Sequence, residues 1–128
     1  MLDLAEHYGQ GPVLLKDIAE REEISVKYLE QLMGSLRAAG LVRSTRGSRG
    51  GYALSRPPSS INLHEILLVL EGSLAPVECV REPQLCPRSR RCVMRDVWTD
   101  VDTSFERILK AKTLESMVKR KKAKERSL

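Results

Sequence analysis

Aromatic residues are scarce in this chain: one Trp, one Phe and three Tyr among 128 residues. A core with so few rings must be built on Leu, Ile, Val and Ala, which suits a helix-rich domain. Long apolar runs are missing too. The longest, Ile66-Leu67-Leu68-Val69-Leu70, falls far short of the roughly 20 residues a membrane helix needs. The opening MLDLAEHYGQ lacks the basic-then-apolar pattern of a secretory signal, so a cytoplasmic protein is expected. Two histidines, no phosphate-binding glycine loop and no nucleophile beside a base argue against an enzyme. Cysteine is absent everywhere except between positions 79 and 92.

The formal net charge is +5. The segment KRKKAKER, residues 119–126, carries six basic residues and one acidic one. Its excess equals the whole net charge, so the rest of the chain is neutral. Such a run reads as a solvated, disordered tail. A case for nucleic-acid binding must therefore rest on local pattern.

That pattern is present in the first sixty residues. Leu15, Ile18 and Ala19 predict a short helix from Leu15 to Glu22. Ser25 is a good N-cap for a second helix, with Leu29, Leu32, Met33 and Leu36 as its buried stripe and Gly40 at its end. Two short helices across a tight turn form a helix-turn-helix. Glu23 occupies the turn position where glycine is preferred. Leu41–Thr45 and Tyr52–Ser55 alternate like strands around RGSRGG, a β-hairpin wing. From Arg37 to Arg56 there are five arginines and no acidic residue. Arg46 and Arg49 lie on the hairpin loop, within reach of phosphates or a minor groove. The second helix carries Ser25, Lys27, Tyr28, Glu30, Gln31 and Ser35 away from the leucine stripe. Gln, Glu and Lys are side chains that read base edges, although most polar helix faces are only solvated.

Beyond the linker RPPSS, Asn62 and Glu65 predict a capping box for a helix ending at Gly72. That helix should be buried on several sides, with His64 in an exposed first turn. A long amphipathic helix is expected from Val93 to Lys110, with Trp98, Val101, Phe105, Ile108 and Leu109 on one face. Packing on the chain's own core would explain that face, but a domain this small has little core left to receive it. A two-fold dimer on palindromic DNA is favoured. The chain thus divides into a winged helix-turn-helix (1–58), a linker and buried helix (59–75), a cysteine loop (76–92), a dimerisation helix with a short terminal helix (93–118) and a basic disordered tail (119–128). The fold class is mainly α with a small β-hairpin.

The cysteine loop, ECVREPQLCPRSRRC, places Cys79, Cys86 and Cys92 with six and five residues between them. Zinc knuckles use spacers of about two to four residues. Wider spacing suits a ligand larger than one ion, and thiolates are soft donors of the kind iron–sulfur clusters select. Arg88, Arg90 and Arg91 would offset the anionic charge of a thiolate-bound cluster. Unligated thiols and zinc stay open as alternatives, as does a redox protein without DNA function. A fourth ligand is unsupplied; His7, His64, Glu78, Asp96 or a group from a second subunit are candidates.

Taken together, LLKDIAEREEISVKYLEQLMGSLRAAGLVRSTRGSRGGYAL, PVEC and the spaced cysteines before RDVW resemble the IscR/NsrR/CymR family of bacterial winged-helix regulators. The resemblance implies a dimeric, DNA-binding transcription factor. It implies that Ser25, Lys27, Tyr28, Glu30 and Gln31 face the major groove and that Arg46 enters the minor groove. It implies that Cys79, Cys86 and Cys92 hold an iron–sulfur cluster, 2Fe-2S in preference to 4Fe-4S, sensing cluster supply, iron, nitric oxide or redox state. CymR-like members control sulfur metabolism and lack the cysteine trio. IscR-like members have a histidine ligand three residues after the last cysteine. Here that position is Arg95, which cannot donate a lone pair to iron. NsrR-like members draw a ligand from a stretch preceding the position of Met1, across the dimer.

Overall fold

Each helix forms where an apolar repeat meets a cap. The computed structural model describes residues 1–128. Helix α1 spans Leu2–Glu6, α2 Leu15–Glu22 and α3 Val26–Ala38. Ile18 and Ala19 of α2 are buried against Leu29, Met33 and Leu36 of α3, while Leu32 is half-buried. Ser25 caps α3, its Oγ accepting from the Tyr28 amide at 3.1 Å. The chain turns between α2 and α3 at Glu23, with φ 54° and ψ 44°. It is the only non-glycine residue with positive φ, as the turn position demanded. Asp3 of α1 is buried and accepts two hydrogen bonds from Arg21 at 2.8 and 2.9 Å. The Arg21 bond holds its carboxyl below the usual carboxylate range against the opposing effect of burial.

The wing is a two-stranded antiparallel sheet, β1 Val42–Thr45 and β2 Gly51–Leu54. Leu41 and Ser55, expected as strand residues, lie just outside it. They are still joined, by a bond from the Ser55 amide to the Leu41 carbonyl at 3.1 Å. Val13 adds a single-residue third rung, exchanging two backbone bonds of 2.8 Å with Tyr52. This contact explains the paired glycines. A Cβ on Gly51, which has φ 144°, would meet the Val13 carbonyl oxygen at 2.3 Å, and one on Gly50 would meet that of Thr45 at 2.1 Å. Gly51 thus lets the wing approach the Val13 segment, and Gly50 lets the hairpin turn close on Thr45.

Chain leaving the wing passes a 3-10 turn, Pro58–Ser60, and enters α4, Leu63–Glu71. Its capping box is formed: Asn62 Oδ1 accepts from the Glu65 amide at 3.0 Å, and Glu65 reaches back to the Asn62 amide at 3.5 Å. Two sequence expectations change here. His64 is buried, because α4's first turn lies against the returning chain, where the Leu63 amide donates to the Lys112 carbonyl at 2.8 Å. Of the apolar run, only Ile66 is buried; Leu67 to Leu70 are half-covered.

Two further 3-10 turns, Glu78–Val80 and Pro83–Leu85, carry the loop to α5, Val93–Lys110. The chain then returns: the Leu114 amide donates to the Ile61 carbonyl at 2.9 Å. Leu54, Ile61 and Leu114 are the largest fully buried side chains and mark the centre of the core.

The final helix corrects the expectation of a disordered tail at 119–128. Helix α6 runs Leu114–Arg126, with Thr113 and Ser116 forming its capping box. Leu114 is buried in the core and Val118 packs against it. Lys121 pairs with Glu6 of α1 at 2.5 Å. The basic run continues a helix already anchored upstream by Leu114 and Val118.

Replacing Glu23 with glycine relieves the left-handed strain in the helix-turn-helix corner. Glu23→Gly is expected to stabilise the protein by about 1 kcal/mol and raise Tm by a few degrees in thermal unfolding followed by circular dichroism. An unchanged or lowered Tm would contradict this.

Candidate nucleic-acid interface and cysteine loop

Helix α3 exposes one continuous polar surface on its N-terminal half. Ser25, Lys27, Tyr28, Glu30 and Gln31 are all exposed, opposite buried Leu29 and Met33. Ser35 extends this surface and donates to the Gln31 carbonyl at 3.4 Å. Arg37 ties the C-terminal end of α3 to the wing, its Nη1 donating to Ser44 Oγ at 3.3 Å. Arg46 follows β1 directly and Arg49 sits in the turn; both are exposed, and neither has a carboxylate partner. A polar helix face and an unpaired arginine loop thus belong to one rigid unit. Its spacing is fixed by the Val13–Tyr52 rung and the Arg37–Ser44 bond.

The cysteine loop is separate from this surface. Cys79, Cys86 and Cys92 are free thiols, each half-buried. Cys79 lies in the Glu78–Val80 turn, Cys86 follows the Pro83–Leu85 turn, and Cys92 is the N-cap of α5. The loop is tied to itself and to α5. Ser89, buried, donates to the Pro83 carbonyl at 2.7 Å. Arg95 Nε donates to the Cys79 carbonyl at 3.0 Å. Arg81 approaches Asp102 at 4.0 Å. Arg95 and Asp102 are two helical turns apart, so they lie on one stripe of α5, and the Glu78–Val80 turn rests on it. Glu106 continues the stripe; the hydrogen bond from Lys110 holds its carboxyl below the usual range, with the charges of Lys110, His64 and Arg81 adding to that effect.

The donors fit a sulfur-ligated centre in kind: three unpaired thiols on one short loop. No three His, Cys, Asp or Glu side chains converge closely enough to share a single metal ion. His64 lies buried in the first turn of α4, and His7 at the end of α1; neither joins the thiols in such a group.

On its other side α5 is bare. No α5 residue is buried. Val93, Met94, Val97, Phe105 and Ile108 are 46 to 73% exposed. Met94, Val97, Val101, Phe105 and Ile108 follow three- and four-residue steps, one seam along the helix. Val93, Met94 and Val97 were not anticipated from sequence, although the same spacing extends to Met94 and Val97. Arg95's bond to the loop had no sequence signal.

A helix-turn-helix with an arginine wing, joined to a long uncovered helix, defines a winged-helix DNA-binding protein. The chain belongs to the Rrf2 family, described as an iron-dependent transcriptional regulator, which matches residues 1–120. It is 41% identical over 119 residues to the protein rrf2 of Nitratidesulfovibrio vulgaris, covering 93% of this chain and 79% of that one. The fold is similar to T. potens IscR, with a TM-score of 0.76 and 45% identity, covering 93% of this chain and 77% of that one. It is equally similar to CymR, the global cysteine regulator of B. subtilis, with a TM-score of 0.76 and 37% identity over 93% of this chain and 87% of that one. These relatives are regulators of transcription, not enzymes. No helix of the chain is long and apolar enough to cross a membrane.

Removing the guanidinium at 95 should free the Cys79 turn from α5. Arg95→Met is expected to speed amide hydrogen exchange at residues 78–82 about tenfold, the loss of one charge-assisted bond. Unchanged exchange in that segment would show that the contact does not hold the loop.

Proposed function

We propose that this chain is a homodimeric transcriptional regulator of the bacterial cytoplasm, controlled by an iron–sulfur cluster bound to Cys79, Cys86 and Cys92. The observation that carries this reading is a juxtaposition: three free thiols stand at the N-terminal end of α5, a helix whose apolar seam has no cover. A seam this exposed costs free energy in water unless a second copy buries it. Two copies joined along α5 would present two reading units, matching a palindromic site with half-sites about one helical turn apart.

In this reading Gln31, Glu30 and Lys27 meet base edges in the major groove, while Ser25 and Tyr28 flank them. Arg46 and Arg49 meet phosphates or the minor groove. The thiolates would hold a 2Fe-2S centre in preference to a 4Fe-4S one. When bound, that centre supplies a redox-responsive, anionic group at the start of α5. Arg88, Arg90 and Arg91 offset its charge. Arg95 supplies no lone pair, so the fourth ligand comes from elsewhere, such as Glu78, Asp96, a histidine or the second subunit. Regulation is linkage: loading must favour one arrangement of the two α5 helices over another, and DNA must distinguish the same arrangements.

A second reading is a cluster-free or zinc-binding regulator, supported by the equal structural likeness to CymR. Anaerobic reconstitution with iron and sulfide separates the two. The account expects visible absorption that Cys92→Ala abolishes without loss of helical content; an identical spectrum in the variant would sink it. Separately, Arg46→Ala is expected to cost ~1–3 kcal/mol of DNA binding at fixed salt. Equal affinities in fluorescence anisotropy would remove Arg46 from the interface.

A further inference from the structure

The reading above leaves α6 without a task. Its apolar residues Leu114 and Val118 are already spent on the chain's own core, with Met117 half-buried beside them. The cations lie on the flanks. Arg120 and Lys124 form one exposed row, and Lys122 and Arg126 another. None of the four has a carboxylate within 4.0 Å; on this helix only Lys119 and Lys121 are paired. Each row is a like-charged pair four residues apart, which destabilises a helix. Complementing the helix dipole accounts for cations in the last turn only, and Arg120 and Lys122 precede it.

The helix is fixed to the DNA-reading unit. Beyond its bond to Glu6, it packs on the Pro58–Ser60 turn that follows the wing. Its four free cations therefore ride on the same body as α3 and the wing. We infer that the exposed rows of α6 bind the phosphate backbone of duplex DNA outside the half-site read by α3, a sequence-independent contact that lengthens the footprint. A polyanion would relieve the repulsion within both rows. An anionic membrane fits less well, because surface helices bind by inserting an apolar face and Leu114 and Val118 of α6 face the chain's own core.

The test uses the full chain and a variant with Lys122→Gln, Lys124→Gln and Arg126→Gln together. All three side chains are exposed, so folding should be kept, and Tm verifies it. The probe is a duplex selected in vitro by the wild type, made in two lengths. One carries the half-sites alone; the other adds about one helical turn of random sequence on each side. On the longer duplex the variant should bind at least about tenfold more weakly, and the slope of log affinity against log salt should fall by about 5, three contacts from each of two protomers. On the shorter duplex the two proteins should match. Equal slopes on the longer duplex overturn the inference. So does an equal loss on both lengths, which would place these cations in the half-site or in a general field. Loss of binding to phosphatidylglycerol vesicles with DNA binding intact would assign the face to membranes instead. Arg46→Ala, run alongside, should lose affinity on both lengths. If no protein binds either duplex, the inference falls together with the DNA-reading assignment.

Discussion

Two backbone hydrogen bonds close the long excursion of this chain on itself. The Leu63 amide reaches the Lys112 carbonyl and the Leu114 amide reaches the Ile61 carbonyl. Between them the chain leaves the reading unit, builds α4, the cysteine loop and α5, and comes back. Closing so long an excursion costs entropy, and the three deepest side chains stand beside the join to offset it: Leu54 from the wing, Ile61 from the outgoing chain and Leu114 from the returning one. A rigid join matters for function. Together with the packing of α4 on α3 and of α5 on α4, it seats the loop and the long helix on the DNA-binding unit.

Along α5 the duties separate by face. The stripe of Arg95, Asp102 and Glu106 holds the loop side of the structure through Cys79, Arg81 and the field of His64. The seam of Met94, Val97, Val101, Phe105 and Ile108 is left without a buried residue by the chain's own fold. Cys92 stands at the N-cap position of the same helix. A change in the loop is thus a change at the first turn of the helix whose other face, in the proposed dimer, sets the spacing between two copies. This is the kind of two-state element that linkage requires. Packed interfaces tend to switch between arrangements and do not deform smoothly.

Much of the architecture was readable from local rules, because capping and periodicity act over a few residues. The limits of α2 and α5, the Ser25 cap, the Asn62–Glu65 box and the left-handed Glu23 all follow from them. What escaped depends on chain segments far apart in sequence. Gly50 and Gly51 read as loop flexibility, yet they answer to the carbonyls of Thr45 and Val13. His64 reads as exposed until the chain returns past it at Lys112. The KRKKAKER run reads as tail because it has no apolar stripe of its own; it continues a helix anchored upstream by Leu114 and Val118 and tied to α1 through Lys121 and Glu6. The polar face of α3, the arginines of the wing and the three thiols were named from residue type and spacing. The grip of Arg95 on the Cys79 carbonyl was not, since a backbone acceptor leaves no trace in composition.

The measurement that bears most directly on the central claim is DNA affinity at fixed salt, under anaerobic conditions, for one preparation before and after cluster loading. Coupling through α5 predicts that loading shifts the dissociation constant, or the preferred site, by fivefold or more, the range of ordinary allosteric coupling. Identical affinity and site preference in both states, with the cluster verified by iron and sulfide content, would contradict it.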